Sequence, residues 1–357
     1  MGINQNNGQT GYTISRRIGY FDLLRIIAAL MVVLVHVSSQ NWKEVDHTSG
    51  EFVIRTIYDG FGRWAVPIFV MISGALFLDK DYHIKKLYRH SICPLIVAFV
   101  FWSFIYAVIP ISTTRETKSV LESFISGEYH MWFIFMIIGL YMVVPILKLL
   151  IKHDDLTRYF LVLAFIFVGI VPWIITATDM KFNSVAYFLQ EDVQYLNLHM
   201  VLGYTFYFLL GYVLHNKQLS KKICLLIYII GIGGLLFTIF GTLVLSRLTN
   251  KPNDYLFDYL SPNVMMLSIA VFCFAKHHLK SERISNSVFV RKMSKATFGI
   301  YLIHALVIAI LSKCFNFDTT TFSPIISIPV ITILVFVISS IISWLLNLIP
   351  GVKKYLV

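Results

Sequence analysis

Three ionisable side chains lie inside the first long apolar run of the chain, FDLLRIIAALMVVLVHVSSQ: Asp22, Arg25 and His36. At the centre of a bilayer-spanning helix each such group costs about 2.5–3.5 kcal/mol or more, so each is a candidate for function. Arg25 and His36 are eleven residues apart. At ~100° and 1.5 Å per residue, that spacing is three turns plus ~20°, which puts both on one face, ~16 Å apart along the axis. An imidazole is the side chain best suited to take a proton near neutral pH. A guanidinium holds phosphate in a planar fork. One stripe therefore offers an anion grip at one end of a membrane path and a base at the other. The simpler reading is also open: a histidine bonded to a packed neighbour, and an Asp22–Arg25 pair, three residues apart, anchoring the helix at the membrane edge.

Other runs carry further candidates. Arg63, beside Trp64, opens GRWAVPIFVMISGALF; it suits an anionic or glycan substrate as well as it suits a snorkelling interfacial charge. Pro67 can kink this run, and Ser73-Gly74 permits close approach of another helix. The fourth run opens with His130, Met131 and Trp132; the tryptophan fits an interfacial belt, and His130 can join a site on that side. Tyr301 and His304, three apart in TFGIYLIHALVI, share a face and serve either a site or an interhelical hydrogen bond. Lys85, Lys86 and Arg89, like Arg291, Lys292 and Lys295, fit topology signals and anionic-lipid contacts. They also fit the phosphates of a large cytoplasmic cofactor.

These residues need elements to position them, and the composition says which kind. Of 357 residues, 57% are hydrophobic and 14% charged, where soluble domains run about 45–50% and about 25%. With a mean hydropathy of +0.74, the chain reads as an all-α, polytopic integral membrane protein. Continuous rather than alternating apolar runs exclude a β-barrel. Ten spans are expected, at 20–39, 61–78, 91–111, 130–150, 158–178, 199–215, 222–246, 256–275, 296–314 and 325–349, flanked by a polar cytoplasmic arm (1–19) and a short tail (351–357). With the N-terminus inside, twenty Lys and Arg fall in inside segments and nine outside, Arg25 apart; the bias puts both termini in the cytoplasm. The first run lacks a small-residue cleavage site and reads as a retained helix. The net charge of +11 is spread over short loops, which argues against a nucleic-acid partner. Cys93, Cys224, Cys273 and Cys314 form no CxxC pair, so neither a disulfide framework nor a metal site is expected.

Four stretches, YFDLLRIIAALMVVLVH, RWAVPIFVMISGALF, HMWFIFMIIGLYMVVPIL and TFGIYLIHALVI, in this order along nearly the whole chain, resemble the acyltransferase-3 family of membrane acyltransferases. The resemblance implies about ten core helices, a cytoplasmic acyl-CoA donor (acetyl-CoA or another short acyl-CoA such as succinyl-CoA) and a hydroxyl acceptor on a cell-surface or lipid-linked glycan. It implies a catalytic role for His36 with Arg25 as its partner, and matches Arg63 to the arginine that begins the second-helix motif. The site expected on both grounds has His36, Arg25 and Arg63 in catalysis, Arg25, Lys85, Lys86 and Arg89 on the acyl-CoA donor, and Asp22, His130, Trp132, Tyr301 and His304 in substrate binding, with no metal. Some relatives carry an extracellular esterase-like or a racemase domain; without one, the chain is expected to act alone or with other envelope-assembly proteins. A place in the cytoplasmic membrane follows from the same likeness. Two rivals stand beside it: a permease or flippase for a polar solute or lipid-linked sugar, and another membrane acyltransferase type in which His304 is catalytic. The HxxxxD motif of glycerolipid acyltransferases is absent, since Asn41 and Phe135 occupy the fifth place after His36 and His130.

Overall fold

Within a bilayer a backbone satisfies its own polar groups only as helix or closed barrel. The computed structural model of this chain takes the first course: no strand occurs among the described residues. The structure describes residues 17–80, 83–113, 117–179, 190, 193, 196, 198 and 202–356. Most of the expected N-terminal arm, Arg115 and Lys181 of the charge count, and residues 199–201 of the sixth expected span lie outside them.

Nine helical segments among the described residues are long and apolar enough to cross a membrane: Gly19–Ser38, Gly50–Phe77, Ile84–Val108, Val120–Leu150, Asp154–Thr176, Lys221–Leu248, Tyr255–His278, Val288–Phe315 and Pro324–Leu346. The chain is an all-α polytopic membrane protein. The helices that bear on the site are α1 (Gly19–Ser38), α2 (Gly50–Gly62), α3 (Ala65–Phe77), α4 (Cys93–Val108), α5 (Trp132–Leu150), α6 (Asp154–Ala164), α7 (Thr205–Asn216), α8 (Lys221–Leu248), α9 (Pro262–His278), α10 (Val288–Phe315) and α11 (Pro324–Leu346).

Several spans begin earlier than expected, the fourth at Val120 rather than at residue 130 among them, and the second and sixth call for a physical account. The second begins at Gly50 rather than at residue 61. Its first half, α2, is capped by Ser49, whose Oγ accepts the Phe52 N–H at 3.1 Å. The charges that lowered its hydropathy neutralise each other one turn apart, Glu51 with Arg55 and Asp59 with Arg63. The helix then breaks at Arg63–Trp64 and resumes as α3. Pro67 explains the place of the break: it lacks an N–H, and its ring collides with the carbonyl four residues back, that of Arg63. The sixth expected span holds α7, twelve residues among those described. That is about 18 Å of helix against a hydrocarbon core of about 30 Å, so it does not count among the nine. It lies directly on α3. A Cβ at Gly74 would overlap the Phe208 carbonyl, and a Cβ at Gly211 would overlap that of Met71.

The first helix runs through the middle of the bundle. Its Leu24, Ala28 and Val32 join a core with Ile68, Met71, Leu140 and Phe208. Its Val33, Leu34 and Val37 join a second core with Ala98, Ile303 and Ile331. Exposed Phe104, Ile146, Leu225, Phe240 and Ile333 coat the outer faces of α4, α5, α8 and α11, the surface that lipid would cover. Contacts at the helix ends sort into two groups. At the Arg25 end, Arg17 donates to the Ser285 carbonyl, Lys148 to that of Lys80, and Lys276 to those of Leu214 and Lys217. At the His36 end, Arg55 donates to the Gln40 carbonyl, Lys313 to that of Ile111, and Lys43 pairs with Asp254. Each contact joins two positions that the charge count put on one side of the membrane.

The α3–α7 contact has no room for a side chain at either glycine. Gly74→Val is expected to destabilise the purified protein by about 1–3 kcal/mol, read as a lower thermal midpoint in detergent. Gly139→Ala, which meets nothing within 4 Å, leaves that midpoint unchanged.

Candidate functional site

Because α1 is continuous from Gly19 to Ser38, the helical arithmetic for Arg25 and His36 holds, and one cavity runs along the stripe between them. It has a volume of about 290 Å³ and is lined by Arg25, Val32 and His36 of α1, by Ser294, Lys295, Thr297 and Tyr301 of α10, and by His130, Trp132 and Tyr141 among others. The Arg25 end is polar and the walls beyond it are aromatic and aliphatic. Asp22 sets that end: its carboxylate takes Arg17 at 2.5 Å and the Ser294 hydroxyl at 2.6 Å, and stands 4.0 Å from Arg25. With Asp22 engaged mainly elsewhere, the Arg25 guanidinium remains on the cavity wall. Asp22 itself does not line the cavity.

At the other end the imidazoles of three spans meet. The His36 ring centroid is 5.0 Å from that of His304 and 6.5 Å from that of His130, and the latter two are 4.9 Å apart. Tyr129 packs on His36 at 5.1 Å. His304 is fully buried, and its Nδ1 lies 2.6 Å from the Tyr301 carbonyl oxygen. A carbonyl only accepts, so Nδ1 carries the proton and Nε2 of the neutral ring is left as an acceptor. Tyr106 braces this turn of α10, donating to the Leu302 carbonyl at 2.8 Å and accepting from the Leu306 N–H at 3.1 Å. Tyr301 donates to the His130 carbonyl oxygen at 2.7 Å, tying α10 to the short turn Tyr129–Met131. The half-buried His36 ring makes no hydrogen bond among the described residues. Among the described residues no group of His, Cys, Asp and Glu is arranged to hold a metal ion.

A second cavity, of about 330 Å³, begins on the far side of His36. It is lined by His36, Ser39, Gln40, Asn41, Thr113, Tyr129, Ser312, Lys313, Asp318 and Thr319, with three apolar residues of α10. Among the described residues, His36 is the one that lines both cavities.

A family model described as an acyltransferase domain matches residues 18–344, which is nearly the whole chain and includes every residue of both cavities. The chain belongs to the acyltransferase-3 family. Comparison with curated proteins and with solved structures yields no match. As an acyltransferase-3 protein, the chain is a membrane acyltransferase.

Against that background the expected site residues divide. Arg25, His36, His130, Trp132 and Tyr301 share the first cavity, and His304 stacks behind His36. Lys85, Lys86 and Arg89 are exposed and line neither cavity. Lys295, which the sequence grouped with topology charges, stands on the cavity wall instead. Arg63 also lines neither. Its guanidinium is held by the buried Asp59 carboxylate, lies 4.5 Å from the Phe257 ring centroid, and reaches the Phe257 carbonyl at 3.4 Å. It faces a third cavity with Lys43, Glu44, Asp59 and Asp254, which shares Ser39 and Asn41 with the second.

Sequence reasoning passed over Arg55, which it counted only as a loop charge. Arg55 is fully buried and bonds Glu51, the Gln40 carbonyl at 2.7 Å and the Thr319 hydroxyl at 2.9 Å. Gln40 and Thr319 are both walls of the second cavity. The Glu51–Arg55 spacing, one helical turn, was the signal available. Truncating one member of a buried ionic network leaves the others without partners. Arg55→Met is therefore expected to lower both the thermal midpoint and the acyl-transfer rate, at least tenfold for the latter, in purified protein assayed beside wild type.

Proposed function

We propose that this membrane acyltransferase moves a short acyl group, acetyl or succinyl, from cytoplasmic acyl-CoA to a hydroxyl of a cell-surface or lipid-linked glycan, working in the cytoplasmic membrane. The observation that carries this reading is the position of His36, common to two cavities that begin at opposite ends of α1. The first cavity suits the donor. Arg25 and Lys295 stand where the phosphates of acyl-CoA would rest, and the aromatic walls of Phe69, Phe133 and Phe298 suit the thin pantetheine arm. A volume of about 290 Å³ is at the lower bound of small-molecule sites, enough for an arm and an acyl group with the nucleotide left at the mouth. The second cavity suits the acceptor. Its serine, threonine, asparagine and glutamine side chains both donate and accept, as a polyhydroxyl ligand requires.

The chemistry follows from this placement. The acceptor hydroxyl oxygen attacks the thioester carbon while His36 removes its proton. The tetrahedral intermediate then expels the CoA sulfur, which receives that proton from the imidazolium. The products are an ester and free CoA thiol, and His36 returns to its starting state. His304 packs against His36 with ring centroids 5.0 Å apart, and its locked tautomer leaves Nε2 as an acceptor.

Loss of a positioned base typically costs about 10²–10⁴-fold. His36→Ala is expected to insert normally and to lose acyl transfer by that factor, measured as labelled acyl group passing from acyl-CoA to envelope glycan. Wild-type turnover in that variant would make His36 a packing residue and overturn the reading. Arg25→Met is expected to raise the KM for acyl-CoA at least tenfold with a smaller change in kcat. A permease would neither consume acyl-CoA stoichiometrically nor respond to that substitution through the donor.

A further inference from the structure

Attack on a thioester places negative charge on the carbonyl oxygen, and in an apolar cavity that charge needs a fixed hydrogen-bond donor. Arg63, which the sequence placed among the catalytic residues, faces a different cavity and is engaged by Asp59 and Phe257. Tyr301 spends its hydroxyl on the His130 carbonyl. His304 spends its one N–H on the Tyr301 carbonyl. His130 differs from all of these. It is 1% exposed, and neither ring nitrogen has a hydrogen-bond partner among the described residues. The Leu302 carbonyl lies beside the ring and accepts from Tyr106, but neither ring nitrogen meets it in hydrogen-bond geometry. Its ring borders the donor cavity, with its centroid 6.5 Å from that of His36.

The backbone around His130 is firmly set. The helix Val120–Ser126 carries a capping box of Ser119 and Glu122 and ends at Gly127, in the left-handed region at φ 69°. The turn Tyr129–Met131 follows, leads straight into α5, and is tied to α10 by the Tyr301 hydroxyl. A polar ring buried without a partner calls for an explanation, and a catalytic role is one of the few available.

We propose that His130 is the oxyanion donor for the transfer in which His36 is the base; this rests on the acyl-transfer reading above. As the acceptor oxygen bonds to the thioester carbon, its proton passes to His36 and the carbonyl π pair moves onto oxygen. That oxygen accepts the His130 N–H. The pair returns as the C–S bond breaks, and the sulfur takes the proton held by His36. His130 finishes with the proton it began with.

The test uses the full chain in inverted membrane vesicles that carry the natural acceptor, with radiolabelled acetyl-CoA and succinyl-CoA as donors. Gln and Met are close in shape, but only Gln keeps a side-chain N–H. His130→Met is expected to lower kcat about 10²–10³-fold with the donor KM within threefold, and His130→Gln to recover at least tenfold of the loss. Retention of kcat in His130→Met would overturn the proposal. So would a KM effect without a kcat effect, or equal loss in both variants at wild-type thermal stability. Should His130→Met fail to insert, His130→Leu against His130→Gln is read in the same way. If wild type transfers no label, or His36→Ala transfers at the wild-type rate, the acyl-transfer reading falls. If His36→Ala is silent while His130→Met is active, this inference alone falls.

Discussion

A polar group inside a hydrocarbon layer has no water to turn to, and the architecture of this protein is arranged around that constraint. The first helix carries an arginine near one end and a histidine near the other. Two apolar cores flank it, so neither group faces lipid across the bundle. What the cores leave open is a narrow space along one stripe of α1, and the polar side chains of α5 and α10 are drawn to the same space. The cavity is thus a product of the helix that could not be sealed without stranding its own charges.

The same constraint organises the His36 end of the molecule. The second helix brings four charges into the bundle edge, and each pair closes one turn apart along the helix. Arg55 then extends its pair outward, holding the chain just after α1 and the turn just before α11 in one grip. Those two segments are otherwise remote in sequence, and both are walls of the second cavity. A buried arginine that does not itself line the second cavity thereby fixes two of its walls. The Arg63–Asp59 pair does similar work beside Phe257 and Tyr259.

How much of this was legible in the sequence depends on how local each interaction is. Long apolar runs show themselves over about twenty residues, and nine of the expected stretches coincide with helices long enough to cross. The early start of the second span was hidden because its paired ions depress hydropathy while stabilising the helix. The shortness of α7 was hidden because its fit to α3 through Gly74 and Gly211 is tertiary. Several boundaries were visible as caps, among them Ser49 before α2 and Ser287 before α10, yet a run of hydropathy does not read them. At the site, the shared stripe of Arg25 and His36 was legible since helical periodicity alone determines it. That His130 and His304 close on His36 was not, because it depends on how three distant spans pack. Nor did spacing reveal that Arg63 turns toward Asp59, or that Lys295 rather than the Lys85 cluster borders the cavity.

The single residue common to the two chambers has a consequence for the membrane itself. The two cavities lie on either side of His36, whose ring packs against Tyr129 at 5.1 Å and against His304 at 5.0 Å, so among the described residues these side chains stand between the halves. On the proposed reading, the base that serves both substrates is also the barrier between the two chambers, so turnover has to proceed without that ring swinging wide enough to let ions through.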